Sequence, residues 1–362
     1  MTKRKFHLLP AIVLILLAAS CDLRPLEDPS ELVNIRINVN VKTVINVTAR
    51  HTLYTGNPKI NELTAEKDYQ LKTDIMRVLI YNPKTKSLVN QSFVTSKSEK
   101  EDGSQMFTGT LNISYGTFDF LVYNFDTPTT QVKDENNEDQ ILAYTNELTE
   151  SQRSSMLGSK ADTFDNIPIH LEPEHLMVAH HPEMRVSPHD TVVVIHTEAS
   201  SIIDTYYIQI HVEGMQYAST RANAVISGVS PSNHIGQGTT GGGVRTTDPA
   251  GAVCFELRQS TDTTYAGANK DIMCAVFNTF GKIPDAKSDL RVTFNVVDIA
   301  GNLQQKEVNL DEIFKTEDAV ERHWLLIDEV WTIEKPENPS TPGSGFQPWV
   351  TDWEITEGNI SL

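Results

Sequence analysis

Between Val33 and Lys42 the chain alternates strictly: Val33, Ile35, Ile37, Val39 and Val41 are apolar, while Asn34, Arg36, Asn38, Asn40 and Lys42 are polar. A period of two puts all the apolar groups on one face of a β-strand, whereas a helical turn of 3.6 residues would scatter them around the axis. Comparable runs occur at 75–81, 87–95, 106–113, 117–125, 191–196, 206–213, 223–229, 252–257, 271–277, 290–299 and 324–333. Asn82-Pro83-Lys84-Thr85-Lys86 and Ala300-Gly301-Asn302 read as turns between neighbouring strands. With no amphipathic helices between the runs to carry parallel crossovers, the strands pair antiparallel and the class is all-β, built as sandwiches. Helix is confined to 147–157, which Thr149 can cap and Gly158 can stop, and to one turn at 311–314.

The 362 residues exceed what one core of this kind organises. The strand series breaks near 196–201, which predicts an N-terminal sandwich over 33–196 and a C-terminal one over 197–335. Beyond it, Pro336, Pro339, Pro342 and Pro348 with Gly343, Ser344 and Gly345 make 336–362 a linker and tail.

Residues 1–20 have a different character. Lys3, Arg4 and Lys5 precede an apolar run from Leu8 to Ala19, the charged and apolar regions of a secretory signal. The run is shorter than the ~20 residues that span a bilayer. Leu17-Ala18-Ala19-Ser20-Cys21 resembles the lipobox of bacterial lipoproteins, in which the signal is cut before the cysteine and that cysteine is acylated; Cys21 is the predicted lipidation site. The segment 21–32, with Pro25, Pro29 and Asp22, Glu27 and Asp28, reads as an extended acidic tether, similar to the surface-export signals of Bacteroidia. The chain holds 30 basic and 48 acidic residues, a net charge of −18, and cleavage removes three basic residues and no acidic one. Such a polyanion is repelled by phosphate backbones, so nucleic acid is excluded as a partner and the lipid must supply attachment to the outer membrane.

No catalytic pattern is found: there is no G-x-S-x-G, H-E-x-x-H, P-loop or EF-hand, and no cofactor is predicted. The glycines from Gly236 to Gly243 lack the Lys-Ser/Thr of a phosphate loop and read as a long mobile loop between strands. His170, His175, His180, His181 and His189 cluster within twenty residues, but adjacent His180 and His181 would face opposite sides of a strand, and the spacing fits no zinc signature. Cys254 and Cys274 lie in two apolar runs read as neighbouring strands. A disulfide between them and a pair of buried thiols fit equally well. All four tryptophans, Trp324, Trp331, Trp349 and Trp353, fall in the last forty residues and either pack internally or offer faces to sugars.

Three segments resemble the fimbrillin-like lipoproteins of Bacteroidia, which build or anchor type V pili. They are Met76-Arg77-Val78-Leu79-Ile80-Tyr81-Asn82 followed by Ser87-Leu88-Val89-Asn90, the run from Leu111 through Gly116 to Asn124, and the stretch from Ser200 to Val229. The resemblance implies two tandem transthyretin-like Greek-key sandwiches on a lipid anchor and no enzymatic activity. It also implies fimbrial subunits as partners, bound by strand pairing. In polymerising members a protease cuts after an arginine, removes the first strand, and a strand of the next subunit fills the groove; Arg36 and Arg50 lie in and after that strand here. The rival reading is a surface glycan-binding lipoprotein of a nutrient-uptake system, which would display coplanar exposed aromatic rings.

Overall fold

A computed structural model describes residues 39–47, 58–65, 72–101, 104–157, 167–187, 192–236, 242–262, 270–284 and 290–337. Cys21, the first half of the alternating run at 33–38, Arg36, Arg50, His189, Trp349 and Trp353 lie outside them.

The first half contains β1 (Val39–Val47), β2 (Met76–Tyr81), β3 (Leu88–Val94), β4 (Ser96–Glu99), β5 (Gln105–Ile113), β6 (Gly116–Asn124), β7 (Thr130–Lys133), β8 (Leu142–Thr145), β9 (Ile169–His170), β10 (Met177–Val186) and β11 (Val192–Ser201), with helices α1 (Pro58–Ala65) and α2 (Glu150–Leu157). One sheet runs β3-β2-β6-β10-β11-β1-β5-β4. Its middle joint is weak, since β10 and β11 pair only at Met177–Ser201 and Val178–Ser200, and there the sheet folds over into two layers. Met76, Val78 and Ile80 of β2 and Phe120 and Val122 of β6 meet Phe107 and Leu111 of β5 and Ile195 of β11 in one core between the layers.

The second half contains β12 (Asp204–Glu213), β13 (Ala218–Val229), β14 (Ser232–His234), β15 (Gly251–Glu256), β16 (Arg258–Thr261), β17 (Asp271–Thr279), β18 (Arg291–Asp298), β19 (Leu303–Asn309), α3 (Glu317–Arg322) and β20 (Trp324–Thr332). Sheet β16-β17-β12-β20 packs on sheet β19-β18-β13-β15-β9. Ile208, Ile210, Ile226, Phe255, Phe277, Phe294 and Trp331 fill the space between them, with Phe255 and Phe277 stacked at 4.2 Å.

Setting aside β7, β8, β9 and β14, the two sandwiches share one topology. Each has eight main strands, with the third, second, sixth and seventh forming one layer and the fourth, fifth, first and eighth the other. In each, the first and eighth strands are parallel neighbours, β1 with β11 and β12 with β20.

The halves also interlock. α1 lays Ile60 and Leu63 on the outer face of the second sandwich, against Tyr207, Ile272 and Cys274. On the opposite outer face, Leu148, Ile167 and Ile169 cover Val225, Ala252 and Cys254, and β9 extends β15 as a parallel strand. In return β14 joins β8 and β7 in a small sheet over the outer face of the first sandwich, where Leu79, Tyr81 and Leu121 pack with Ile203, Ile235 and Phe280. Strands covered on both sides lose the alternation of a half-buried strand: in β6 every residue from Phe118 to Asn124 is buried.

Several elements differ from the sequence reading. β11 continues past His196 to Ser201, because its end turns the corner onto β10. β4 is wholly exposed and polar, β9 is two residues long, and β10 is interrupted by a bulge at Pro182-Glu183, so none of these shows a period. α2 starts at Glu150 and not at 147, because Glu147 and Leu148 pair with the β9 backbone. Thr149 does cap it: its hydroxyl accepts from the Gln152 amide (3.3 Å) while Gln152 Oε1 accepts from the Thr149 amide (2.9 Å), a reciprocal capping box. The turn expected at 311–314 is a 3₁₀ turn at Ile313–Lys315 that leads into α3. Gly236 belongs to a packed contact and not to a free loop, since a Cβ there would strike the Glu138 carbonyl oxygen.

One ion cluster ties the β2–β3 turn to the first sandwich. Lys86 sits in the left-handed region (φ 57°), where Asn or Gly is the usual choice. Its ammonium donates to Asp119 Oδ2 (2.8 Å) and Glu138 Oε2 (3.0 Å), both carboxylates being almost fully buried. Asp119 Oδ1 also accepts from the Glu183 amide in the β10 bulge (2.7 Å). Although burial opposes it, hydrogen bonds from Lys86 and Glu183 hold Asp119 below the usual carboxylate range. Glu138 is pushed up, chiefly by burial, with the Asp119 charge adding to the effect. The signs oppose: Asp119 contributes stability that fades as pH falls through its depressed pKa, whereas ionised Glu138 costs stability at neutral pH and regains it as the pH drops below its raised pKa.

Lys86→Met should therefore lower unfolding free energy at pH 7 by roughly 3–5 kcal/mol, because two buried carboxylates lose their cation. That loss should shrink as the pH is lowered and the carboxylates protonate. Glu138→Gln, which keeps an acceptor and removes the desolvated charge, should cost less at pH 7 than Lys86→Met. Urea unfolding of both variants across pH 4–8 measures each.

Candidate functional site

The candidate site is the slot that β1 occupies. β1 lies between β11, parallel from Asn40–Val192 to Val47–Ala199, and β5, antiparallel from Val39–Ile113 to Val47–Gln105. Neither partner is its neighbour in sequence, so β1 alone joins the β5-β4 pair to the rest of the layer. The slot's walls bring Ile195 and Ala199 of β11 and Phe107, Leu111 and Ile113 of β5 to the core, all buried. A chain without β1 would leave two rows of backbone N–H and C=O groups facing each other across one strand width, above apolar side chains.

Three of the other sheet edges are protected. β4 is short and polar, with Lys97 paired to Asp74. β20 is bulged at Asp328-Glu329, and the facing layer's edge is tied to it: Lys306 pairs with Glu329 (2.5 Å), and Gln304 both donates to the Glu334 carbonyl (2.9 Å) and accepts from its amide (2.8 Å). Charge, bulges and side-chain closure block edge-to-edge pairing. β3 is the more open edge, carrying exposed Val89 and Phe93, and the Arg77 guanidinium lies 5.2 Å from the Phe93 ring and 4.8 Å from that of exposed Phe125.

The residues singled out from sequence are dispersed. Cys254 on β15 and Cys274 on β17 are buried, outside any disulfide, and stand in different sheets. The strands are not neighbours, and period two turns both cysteines away from the shared core onto opposite outer faces, so the disulfide alternative is corrected. Burial pushes the Cys254 thiol up to about 12. His170 Nδ1 lies 3.0 Å from the Thr145 carbonyl and His175 Nδ1 2.7 Å from the Ser201 hydroxyl. His180 and His181 follow one another on β10, and burial lowers His180 to about 4. Among the described residues no group of three or more His, Cys, Asp or Glu is gathered as a metal would need. Trp331 is buried 6.3 Å from Phe294, and half-buried Trp324 lies under the Arg322 guanidinium at 5.3 Å, so these two form no open platform. The Lys86–Asp119–Glu138 cluster escaped sequence reading because its members are 33 and 52 residues apart from Lys86; a lysine where the turn calls for glycine or asparagine was the available signal.

Residues 67–247 match the family model described as "Domain of unknown function (DUF5119)". No curated protein matches the chain. Among solved structures, one described as a "putative adhesin" from Bacteroides ovatus has a TM-score of 0.55 at 16% identity, covering 85% of this chain and 97% of that one. The fimbrial anchor protein Mfa2 from Porphyromonas gingivalis has a TM-score of 0.44 at 8% identity, covering 79% and 88%. The likeness to the Bacteroides ovatus structure is one of fold. With half its length matched, the chain belongs to the DUF5119 family.

Proposed function

We propose that this protein is a non-enzymatic lipoprotein of the cell surface, held in the outer membrane by acylated Cys21, and that it serves as an anchor, accessory or structural subunit of a fimbrial assembly. The observation that carries the reading is the position of β1, an N-terminal strand inserted along its whole length between two strands remote in sequence. Such a strand can be supplied by its own chain or by another, because backbone pairing gives affinity with little demand on side-chain identity. The adhesin description of the Bacteroides ovatus protein, which shares the fold across most of both chains, supports a surface role. The glycan-binding alternative is disfavoured by the internal packing of Trp331 and the cover over Trp324. Under this proposal the chain forms two sandwich domains, the 196/197 boundary read from sequence moving to the Ile202–Ile203 link between β11 and β12, and they act as one body through their interlocked segments.

Two experiments test it. Cys21→Ala should move the protein from the membrane fraction to soluble material; unchanged partitioning would remove the lipid anchor from the proposal. Deleting 33–47 should open the slot, giving aggregation or capture of a synthetic peptide with the β1 sequence. A stable, monomeric deletion variant that ignores the peptide would sink the strand-pairing role.

A further inference from the structure

Each sandwich begins and ends on a pair of parallel, adjacent strands, and this decides how the chain answers a pull on its ends. A load entering from the N-terminal side draws β1 toward its own start, while the load leaving toward the second sandwich draws β11 toward its own end. The two strands are parallel over eight residue pairs, from Asn40–Val192 to Val47–Ala199, so they are driven past each other along their common axis. β1 is sheared against β5 at the same time, over nine more pairs. In this geometry every hydrogen bond of the pair must yield together. Strands pulled apart from one end part instead bond by bond, at a lower force. The second sandwich repeats the arrangement: β12 is drawn back and β20 forward, parallel over seven pairs from Tyr207–Trp324 to Glu213–Thr332. Backbone bonds reach past the strand ends, Tyr207 amide to the His323 carbonyl (2.9 Å) and Ile333 amide to the Glu213 carbonyl (2.8 Å).

The path between the two pairs offers little slack. Only Ile202 and Ile203 separate β11 from β12, with Ile203 fully buried in the cluster between the halves and the Ile202 amide bonded to the Leu176 carbonyl (3.1 Å). β20 is braced against sliding by the Lys306–Glu329 ion pair and the paired Gln304–Glu334 hydrogen bonds to the opposite layer.

We infer that the protein has a load-bearing function: its two parallel terminal-strand pairs are shear clamps in series that resist tension along the chain. The inference rests on the proposed surface tether for its biological setting, since a chain fixed to the membrane through its N-terminal side is stretched along this path when its far end is pulled. The clamp itself is a property of the isolated molecule and can be measured without that setting.

The test uses one protein in two loading geometries. The full chain with Cys21→Ser, Glu213→Cys and Lys335→Cys is held for single-molecule force measurement either by tags at its two ends or by the two introduced thiols, the native Cys254 and Cys274 being buried. Glu213 and Lys335 are both exposed at the same, C-terminal end of the β12–β20 pair, so a pull between them opens it like a zipper. Because the molecule is the same, any loss of stability from the substitutions enters both measurements, and forced rupture reports the unfolding barrier along each direction. The lowest rupture force between the ends should exceed that between the thiols at least twofold at equal loading rate. Equal forces, or a weaker end-to-end rupture, would overturn the clamps. A strong clamp in a protein that stays soluble with Cys21 intact would refute the surface anchor and leave the clamps standing.

Discussion

The structure depends on a non-local constraint met twice: the strand that opens each sandwich is hydrogen-bonded in parallel to the strand that closes it. A parallel pair cannot be made by a hairpin, so every other main strand must be laid down before the eighth can find the first. Loop-closure entropy opposes each of these contacts, and such non-local pairing slows folding. The same constraint fixes the layout of the chain. Because β1 and β11 point the same way, the chain enters the first sandwich at one end of the pair and leaves it at the other, and two linking residues suffice to begin the second. The tandem arrangement thus follows from strand direction.

The interlocking segments then explain the burial pattern. A sandwich standing alone has two wet outer faces, and its strands alternate. Here α1 and the segment around Leu148 and Ile169 cover the second sandwich, and β14 helps to cover the first, so Tyr207, Ile272 and Cys274 on one outer face and Val225 and Cys254 on the other are as buried as the core between the sheets. Each half thereby completes the other. Removing either would expose apolar surface, so the halves stabilise one another by the burial of these side chains.

This arrangement also sets what could be read from the amino-acid sequence. Strands with one wet face, or with long apolar runs, were legible: β2, β5, β6, β12, β15, β17, β18 and β20 all coincide with runs found by patterning, and the all-β class followed from them. β10 was not, because the bulge at Pro182-Glu183 shifts its register by one residue between His181 and Met184 and destroys the period. β4, with four exposed polar residues, carries no burial signal to detect. The shared topology of the halves was also hidden, because strand order is a property of pairing and the two halves repeat no motif. The choice between a disulfide and buried thiols stayed open for a related reason. Apolar runs alone do not say which sheet a strand joins, and Cys254 and Cys274 went to different ones.

The slot around β1 is the extreme case of a site without a sequence signature. Enzymes and metal centres need particular side chains at particular distances, and such residues can be sought by type and spacing. A strand seat needs only backbone groups left to pair, alternating apolar positions beneath them and protected edges elsewhere. Its walls here, Ile195 and Ala199 on one side and Phe107, Leu111 and Ile113 on the other, are residues that any core would use. What distinguishes the seat is that its occupant is the first of the described strands and that, among the described strands, no other pairs with both β11 and β5. Nearly every side chain around such a seat can therefore change, provided the alternation and strand order survive, because volume-conserving apolar swaps are tolerated there.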